Sequence, residues 1–281
     1  MTDMKKYANL VLDGERALYG VAFAKVIGCE FKGEADGESC LKETSDLIVE
    51  NCAFHLRYPI WHTTNSTIKN CEFFAGARAP LWYGKNVSLA NCTFTCVKAV
   101  RECCGVKIEN CNVDSEEFGW KSADLLVKNS KINGFYAFFE SSDITLENVD
   151  FSGKYSFQYV RNGTFKNCRF DTKDAFWHTE NVIVYDSVVR GEYLGWYSKN
   201  LTLVNCTIEG TQPLCYAENL TLNNCRMIGC DLSFENSTVN AGVIGAIDSV
   251  KNAIGSIRAD SIGEIIADKH SRGECKFTVN N

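Results

Sequence analysis

The sequence contains little proline, little histidine and no long apolar run. Its 281 residues include 3 prolines and 4 histidines, and no proline-rich linker divides the chain. No uninterrupted apolar stretch approaches the roughly 18 residues of a membrane-spanning helix. The segment before Ala8 lacks the apolar core of a signal peptide. We therefore expect a single cytoplasmic domain over residues 1–281 that does not act at a membrane.

The chain also has no strong excess of positive or negative charge. The formal net charge is −6, while 45% of the residues are apolar and 23% are charged. Such a composition excludes a disordered segment and a collagen-like fibre. A nucleic-acid partner is not expected either, because the chain has no basic stripe.

Cysteine, in contrast, is abundant, with 15 residues. The count is odd and the chain is long, so we expect free thiols rather than a disulfide framework.

A short sequence motif of the type apolar-x-Asn-Cys-x-apolar recurs along the chain. Measured at its cysteine position, eleven copies run from Cys29 to Cys225, and eight of the ten steps share a 19-residue period, as from Cys52 to Cys71. Within each copy apolar and polar residues alternate, as expected for a strand. Because this period is too short for a strand, a packed helix and a return, each repeat should form one turn of a parallel β-coil.

The sequence thus predicts an all-β, single-stranded parallel β-helix of about eleven coils with terminal caps. We expect an N-terminal cap over 1–28 and regular coils over 29–239. Residues 240–281 should form narrower coils or a second cap, because the repeat decays there. Two columns of Asn and Asp, one beginning at Asp46 and the other at Asn51, should mark the corners of the coil, since these residues tolerate left-handed backbone.

The cysteine column lies just beyond the second of these corners. One thiol per coil, with no CxxC pair and no nearby histidine, cannot surround a zinc ion. We therefore interpret the column as small, weakly polar filling of a narrow interior and expect neither a metal nor a cofactor.

Three neighbouring columns of the repeat form the third side of the predicted coil. The first is apolar or glycine throughout and should face the interior. The second contains all five tryptophans of the chain, at 61, 82, 120, 177 and 196, together with Lys42, Arg101, Phe139, Gln158 and Cys215. The third contains Glu43, His62, Tyr83, Glu102, Lys121, Glu140, Tyr159, His178, Tyr197 and Tyr216.

Strict alternation along a strand cannot accommodate all three columns, because the charged residues of the third would then face the interior at high cost. Two interpretations are open. A local bend would leave the second and third columns both partly exposed. Alternatively, the tryptophans form an internal stack while the third column still faces solvent.

The chemistry of this face changes from coil to coil, as expected when each coil contacts a different part of one ligand. A shallow groove lined by aromatic and charged groups suits an oligosaccharide. The predicted substrate-binding residues are Trp61, His62, Trp82, Tyr83, Arg101, Trp120, Tyr159, Trp177, His178, Trp196 and Tyr197.

Glu102, Lys121 and Glu140 are the catalytic candidates. The two glutamates lie two coils apart, about 9.6 Å, near the roughly 6.5–9.5 Å separation of inverting glycosidases. Lys121, with Arg101, could hold a uronate carboxylate or act as the base of a lyase. The alternative is a salt-bridged outer face without chemistry.

Several segments of the predicted coils, such as 57–62, 174–178 and 191–197, resemble the sequences of an uncharacterised bacterial domain-of-unknown-function family. The resemblance extends from about Glu15 to about Phe234. It implies a right-handed β-helix of the pectate-lyase type and no established activity.

The sequence therefore favours a protein that binds a carbohydrate or another polar oligomer on the aromatic face. Cleavage by a hydrolase or lyase mechanism is left open. The alternative is a non-catalytic scaffold whose aromatic face binds another protein or a second copy of itself, so both a monomer and a homo-oligomer are compatible with the sequence.

Overall fold

The computed structural model describes residues 3–279, which form two compact units. The first extends to Phe138 and the second begins at Phe139. Each is a parallel β-solenoid in which successive coils pair in register, as the 19-residue repeat predicts. Leu89, for example, pairs with both Ile68 and Ile108. The single-domain organisation stays a prediction, and each unit is described by itself.

The first unit contains seven coils, each with a long and a short strand. Its long strands are Lys5–Ala8, Ala22–Ile27, Ser45–Glu50, Thr64–Lys69, Lys85–Ala90, Cys104–Glu109 and Ala123–Lys128. Its short strands are Val11–Leu12, Glu30–Phe31, Ala53–Phe54, Glu72–Phe73, Thr93–Thr95, Asn112–Asp114 and Lys131–Phe135. Three coils add a strand on the third side, at Ile60–Trp61, Leu81–Trp82 and Val100–Arg101, and a 3₁₀ helix spans Ala75–Ala77.

The second unit contains seven further coils and a final strand. Its long strands are Ser142–Glu147, Arg161–Lys166, Glu180–Tyr185, Lys199–Val204, Leu220–Ile228, Thr238–Val243, Ile254–Ala259 and Cys275–Val279. Its remaining strands are Asp150–Lys154, Arg169–Lys173, Val188–Arg190, Thr207–Glu209, Ala246–Lys251 and Ser261–Ile266.

The structure has more coils than the predicted eleven, because coils also form at both ends, where the sequence lacks the repeated Asn-Cys motif. Residues expected to form an N-terminal cap already pair as a coil, Lys5 with Ala24 and Val11 with Glu30. Toward the C-terminus one coil is narrower. Thr238 pairs with Ile254 and Ala246 pairs with Ser261, so this step between neighbouring coils shortens to 16 positions on one strand and 15 on the other. The next step is longer again, because Gly255 pairs with Cys275, 20 positions further on. The described residues after Thr238 therefore pair as further coils, one of them narrower than the repeat.

Aromatic rings fill much of both cores. In the first unit Phe31, Phe54, Phe73 and Phe94 stack face to face, with ring centroids 4.6–4.9 Å apart, and all four are buried. In-register pairing places identical residues above one another, which brings the rings of a repeated phenylalanine close together. In the second unit the rings form a cluster of tilted, edge-on and stacked pairs instead, made by Phe151, Phe157, Phe165, Phe170 and Phe176.

The two Asn and Asp columns form the corners, as predicted. The residues of both columns have positive φ, for example 55° at Asn51 and 53° at Asn200. Their amides also bond along the stack. Asn200 donates to Asn181 and accepts from Asn219, both at 2.8 Å. The corner residues thus supply a left-handed backbone and a ladder of hydrogen bonds.

The filler interpretation of the cysteine column is confirmed. The column is buried, and its thiols bond to the backbone: Cys52 Sγ donates to the carbonyl of Glu50 at 3.3 Å. Ser130 occupies the same position and accepts from the N–H of Cys111 at 3.0 Å. Burial raises the pKa of the Cys168 thiol to about 11, so this thiol stays protonated at neutral pH.

Candidate functional site

The third side of each coil turns outward through a left-handed residue. Residues of the first column, such as Leu81 and Phe176, are buried. Every residue of the third column has positive φ: Glu43, His62, Tyr83, Glu102, Lys121, Glu140, Tyr159, His178, Tyr197 and Tyr216, between 49° and 59°. This conformation breaks strand alternation, so the third column reaches the surface together with every residue of the second column except Cys215, which is buried. The predicted bend is confirmed, and the tryptophans are half-buried rather than internal.

In the first unit the second column is a continuous stack of rings and cations. Lys42 Nζ lies 4.3 Å from the Trp61 ring centroid, and Trp61 stacks on Trp82 at 5.4 Å. Arg101 lies between Trp82 and Trp120, 5.5 and 5.2 Å from their centroids. Because ring and guanidinium faces cover one another, this stack presents mainly edges to solvent.

Carboxylates hold Arg101 in this stack. Its Nε donates to Glu102 Oε1 at 3.3 Å and its Nη1 to Glu117 Oε2 at 2.9 Å. Glu102 Oε1 also accepts from Trp82 Nε1 at 3.3 Å. Lys98 Nζ lies 3.4 Å from Glu117. Two cations and two carboxylates therefore balance locally, so Arg101 is already compensated and is poorly suited to hold a uronate.

The catalytic candidates are divided between the units. Glu102 is half-buried and engaged by Arg101 and Trp82, whereas Lys121 is exposed at the end of the same column of the first unit. Glu140 is exposed and belongs to the second unit. Beside Glu102 the third column contains the pair His62 and Tyr83, with ring centroids 4.8 Å apart.

In the second unit the third column forms a regular row of rings. Tyr159, His178, Tyr197 and Tyr216 stack with centroid distances of 4.9, 5.0 and 5.1 Å and interplanar angles of at most 15°. Tyr159 and Tyr197 are 43% and 47% exposed. We call these four residues the ring row. Both faces of His178 and Tyr197 are covered by neighbours, so their edges face solvent.

A tryptophan pair runs beside the ring row. Trp177 stacks on Trp196 at 5.4 Å with an interplanar angle of 4°. Their Nε1 atoms donate to the carbonyls of Tyr193 and Gln212, at 2.6 and 2.7 Å. Because the indole N–H groups are used by the backbone, the partly exposed tryptophan edges are apolar. The predicted residues Tyr159, Trp177, His178, Trp196 and Tyr197 thus lie together.

Two titratable residues of the ring row have shifted pKa values. Burial lowers the pKa of His178, which favours the neutral imidazole at pH 7. Burial and the neighbouring Glu235 carboxylate raise the pKa of Tyr216 to about 12. Glu235 in turn pairs with Lys251 at 2.9 Å. The row therefore consists of neutral groups and ends beside an ion pair.

Sequence reasoning omitted Tyr216, Glu235, Lys251 and Glu117 from the site. A signal existed for two of them. Tyr216 is in the third column, and Glu235 follows it by one 19-residue period. Lys251 lies in the narrow coils where the period changes, and the pairing of Glu117 with Arg101 depends on side-chain reach across coils.

Within residues 3–279, no group of three or more His, Cys, Asp or Glu side chains is placed to hold a metal ion. Over the same residues, no helix has the length and apolar character needed to span a bilayer.

The chain belongs to a family described as "Protein of unknown function (DUF3737)", whose model matches residues 5–280. The comparison with curated proteins finds no significant match.

Several solved structures are similar at low identity. The A-module of a mannuronan C-5 epimerase from Azotobacter vinelandii is 11% identical with a TM-score of 0.38, over 97% of this chain and 87% of that one. PfbA, a surface adhesin of Streptococcus pneumoniae, is 11% identical with a TM-score of 0.40, over 94% and 80%. A mutant tailspike protein of E. coli bacteriophage HK620 in complex with a hexasaccharide is 10% identical with a TM-score of 0.34, over 96% and 70%. At this level the likeness carries no argument about function.

Proposed function

We propose that this member of the DUF3737 family binds an oligosaccharide along the ring row and the tryptophan pair of its second unit. One observation carries the proposal: four stacked, partly exposed rings with polar substituents repeat every 4.9–5.1 Å on successive coils. A linear glycan also repeats its hydroxyl groups at regular intervals, so one sugar can lie on each coil.

The geometry favours recognition at ring edges. Because both faces of His178 and Tyr197 are covered, a sugar cannot stack on them and must contact the phenol and imidazole substituents. These groups exchange hydrogen bonds with hydroxyls. The apolar edges of Trp177 and Trp196, beside them, suit the C–H surface of the same sugars. A polar row next to an apolar row matches the amphipathic character of a saccharide.

The charge of the ring row favours an uncharged glycan. Its side chains are three phenols and one imidazole whose pKa is lowered by burial. The nearby ion pair of Glu235 and Lys251 adds no net charge. A neutral oligosaccharide is therefore a better ligand than a polyuronate.

Cleavage by Glu102, Lys121 and Glu140 stays a prediction. In the first unit Glu102 accepts hydrogen bonds from Arg101 and Trp82, which gives this carboxylate a positioning role without any substrate. Reducing-end assays on neutral oligosaccharides with wild type and Glu102→Gln test the prediction. Turnover that disappears in the variant while the fold is retained would support it.

Calorimetric titration with neutral oligosaccharides of increasing length tests the binding proposal. We expect His178→Ala and Tyr197→Ala to weaken binding about tenfold or more, because each removes one polar contact and disrupts the row. Tyr185→Ala is the matched control, since Tyr185 is half-exposed on a long strand of the same unit. Affinity should also rise with chain length up to about four sugars, one per ring.

Light scattering on the same variants distinguishes the scaffold alternative. If wild type binds no glycan but self-associates, and Tyr197→Ala abolishes that association, the aromatic face is a protein interface and the carbohydrate proposal is wrong. Equal losses of glycan affinity in Tyr185→Ala and Tyr197→Ala would also contradict a specific ring-row site.

We also propose that the protein works in a reducing compartment such as the cytoplasm. The support is that all 15 cysteines are free thiols and that 13 of them are buried in the cores. Fractionation of the native cells, with an antibody against the chain, tests this location.

A further inference from the structure

A depression of about 480 Å³ lies on the outer face of the long-strand sheet in the second unit, away from the ring row. One wall is a row of polar side chains on consecutive coils, in which Thr221 pairs with Asn240, Asn240 with Ser256 and Ser256 with Lys276. Arg258 and Thr278, which pair with each other, form the opposite wall.

The hollow follows from a local irregularity. The pairing register between Leu220–Ile228 and Thr238–Val243 shifts between Leu222 and Cys225. Gly242 lies on the floor beside this shift and has no side chain to fill the space. A register shift next to a residue without a side chain thus leaves a depression in the sheet face.

The charges of the lining have one sign. Arg258 and Lys276 are the charged lining residues, and no Asp or Glu belongs to the lining within residues 3–279. This is unusual in a chain whose formal net charge is −6. Arg258 follows Ser256 by two residues on its strand and Lys276 is the direct partner of Ser256, so the two cations are diagonal neighbours.

The neutral groups complete a set of donors. Ser256 Oγ donates to Asn240 Oδ1 at 3.0 Å, which leaves the amide N–H groups of Asn240 directed away from that bond. The Thr221 and Thr278 hydroxyls also line the depression. Two cations with an amide and hydroxyls around a concave surface are the groups that bind phosphate oxygens.

We infer that this depression binds a phosphate group, with Arg258 and Lys276 holding the phosphate oxygens and Thr221 and Asn240 contacting the attached moiety. The ligand class is a phosphorylated small molecule or free inorganic phosphate. The site is separate from the ring row, so it does not depend on the carbohydrate proposal.

Calorimetric titrations of the full chain at constant ionic strength test this inference, with inorganic phosphate, glucose 6-phosphate and glucose as probes. We expect millimolar or tighter binding of at least one phosphate probe that Arg258→Gln weakens, whereas any binding of glucose occurs at the ring row and Arg258→Gln leaves it unchanged. Arg258→Gln and Lys276→Met should each weaken binding about tenfold or more. Arg258→Lys should fall between wild type and Arg258→Gln, because lysine keeps the charge but loses the planar fork.

Arg226→Gln is the matched control, since Arg226 is exposed on a strand of the same unit outside the lining. Tighter binding of glucose 6-phosphate than of phosphate would identify a phosphomonoester as the ligand, whereas equal binding would identify the free ion. The inference is overturned if wild type binds neither inorganic phosphate nor glucose 6-phosphate. It is also overturned if Arg226→Gln weakens the binding of these phosphate probes as much as Arg258→Gln does. Circular dichroism of each variant checks that the fold is retained.

Discussion

Arg101→Met tests the stacked network of the first unit. The arginine side chain is 18% exposed and contacts two tryptophan rings and two carboxylates. Methionine keeps an apolar stem of similar length but removes the cation and its hydrogen-bond donors. The substitution therefore probes the electrostatic contacts more than the packing.

The expected cost is about 3–4 kcal/mol of unfolding free energy. Each cation–π contact contributes roughly 0.5–1 kcal/mol at a partly exposed site. Each hydrogen bond between charged groups contributes roughly 1 kcal/mol here, below the buried range because Glu102 and Glu117 remain partly exposed. Arg101→Lys should recover only part of the loss, because lysine cannot bond both carboxylates through a planar fork.

Urea unfolding, followed by tryptophan fluorescence and circular dichroism, measures this cost. A double-mutant cycle between Arg101→Met and Glu117→Gln should give a coupling energy of about 1 kcal/mol. A total cost below about 0.5 kcal/mol, the range of an isolated surface residue, would refute the reasoning. So would a coupling energy indistinguishable from zero, since the network would then not exist in solution.

Three further predictions concern the core, the corners and the ring row. Phe54→Ala should lower the unfolding free energy by about 3–5 kcal/mol in urea titrations, and Phe54→Leu by much less, because alanine leaves a cavity between two stacked rings. Asn200→Gly should lower the unfolding free energy less than Asn200→Ala does, because glycine adopts the left-handed backbone readily while both variants lose the amide hydrogen bonds. Equal losses of unfolding free energy would show that only the amide hydrogen bonds matter. The lowered pKa of His178 implies a contribution to the unfolding free energy that is present above about pH 6.5 and is lost as the pH falls. The raised pKa of Tyr216 implies a contribution that is present below about pH 10 and is lost toward pH 12. NMR titration of each residue checks these pKa shifts. His178→Gln and Tyr216→Phe should each remove the corresponding pH dependence, and an unchanged profile would contradict the assigned burial.

The repeat alone predicted the coils because parallel pairing in register converts a sequence period into spatial neighbours. It also identified the corners, since Asn and Asp are among the few residue types that adopt a left-handed backbone readily. The ends were harder to predict. The coil at Lys5–Leu12 lacks the Asn-Cys motif, and the steps after Thr238 are first shorter and then longer than 19 residues, so a search for a 19-residue period misses both ends.

The bend on the third side could be proposed but not decided from sequence. It requires positive φ at residues such as Tyr197 and Glu102, which are not types that favour this conformation. The surrounding coil imposes it, because the chain must close each turn at the same place. Once the bend exists, the third column and the tryptophans of the second column reach the surface, which the residue pattern alone left open.

The sequence determined which residues share a face, because that depends only on the period and on parallel register. The tertiary structure decided what those residues do to one another. It stacked the rings so that edges rather than faces meet solvent, and it engaged Glu102 with Arg101 and Trp82. It also produced the depression in the sheet beside Gly242. These outcomes depend on side-chain reach, on local register shifts and on mutual coverage of neighbouring groups, which a one-dimensional repeat does not specify.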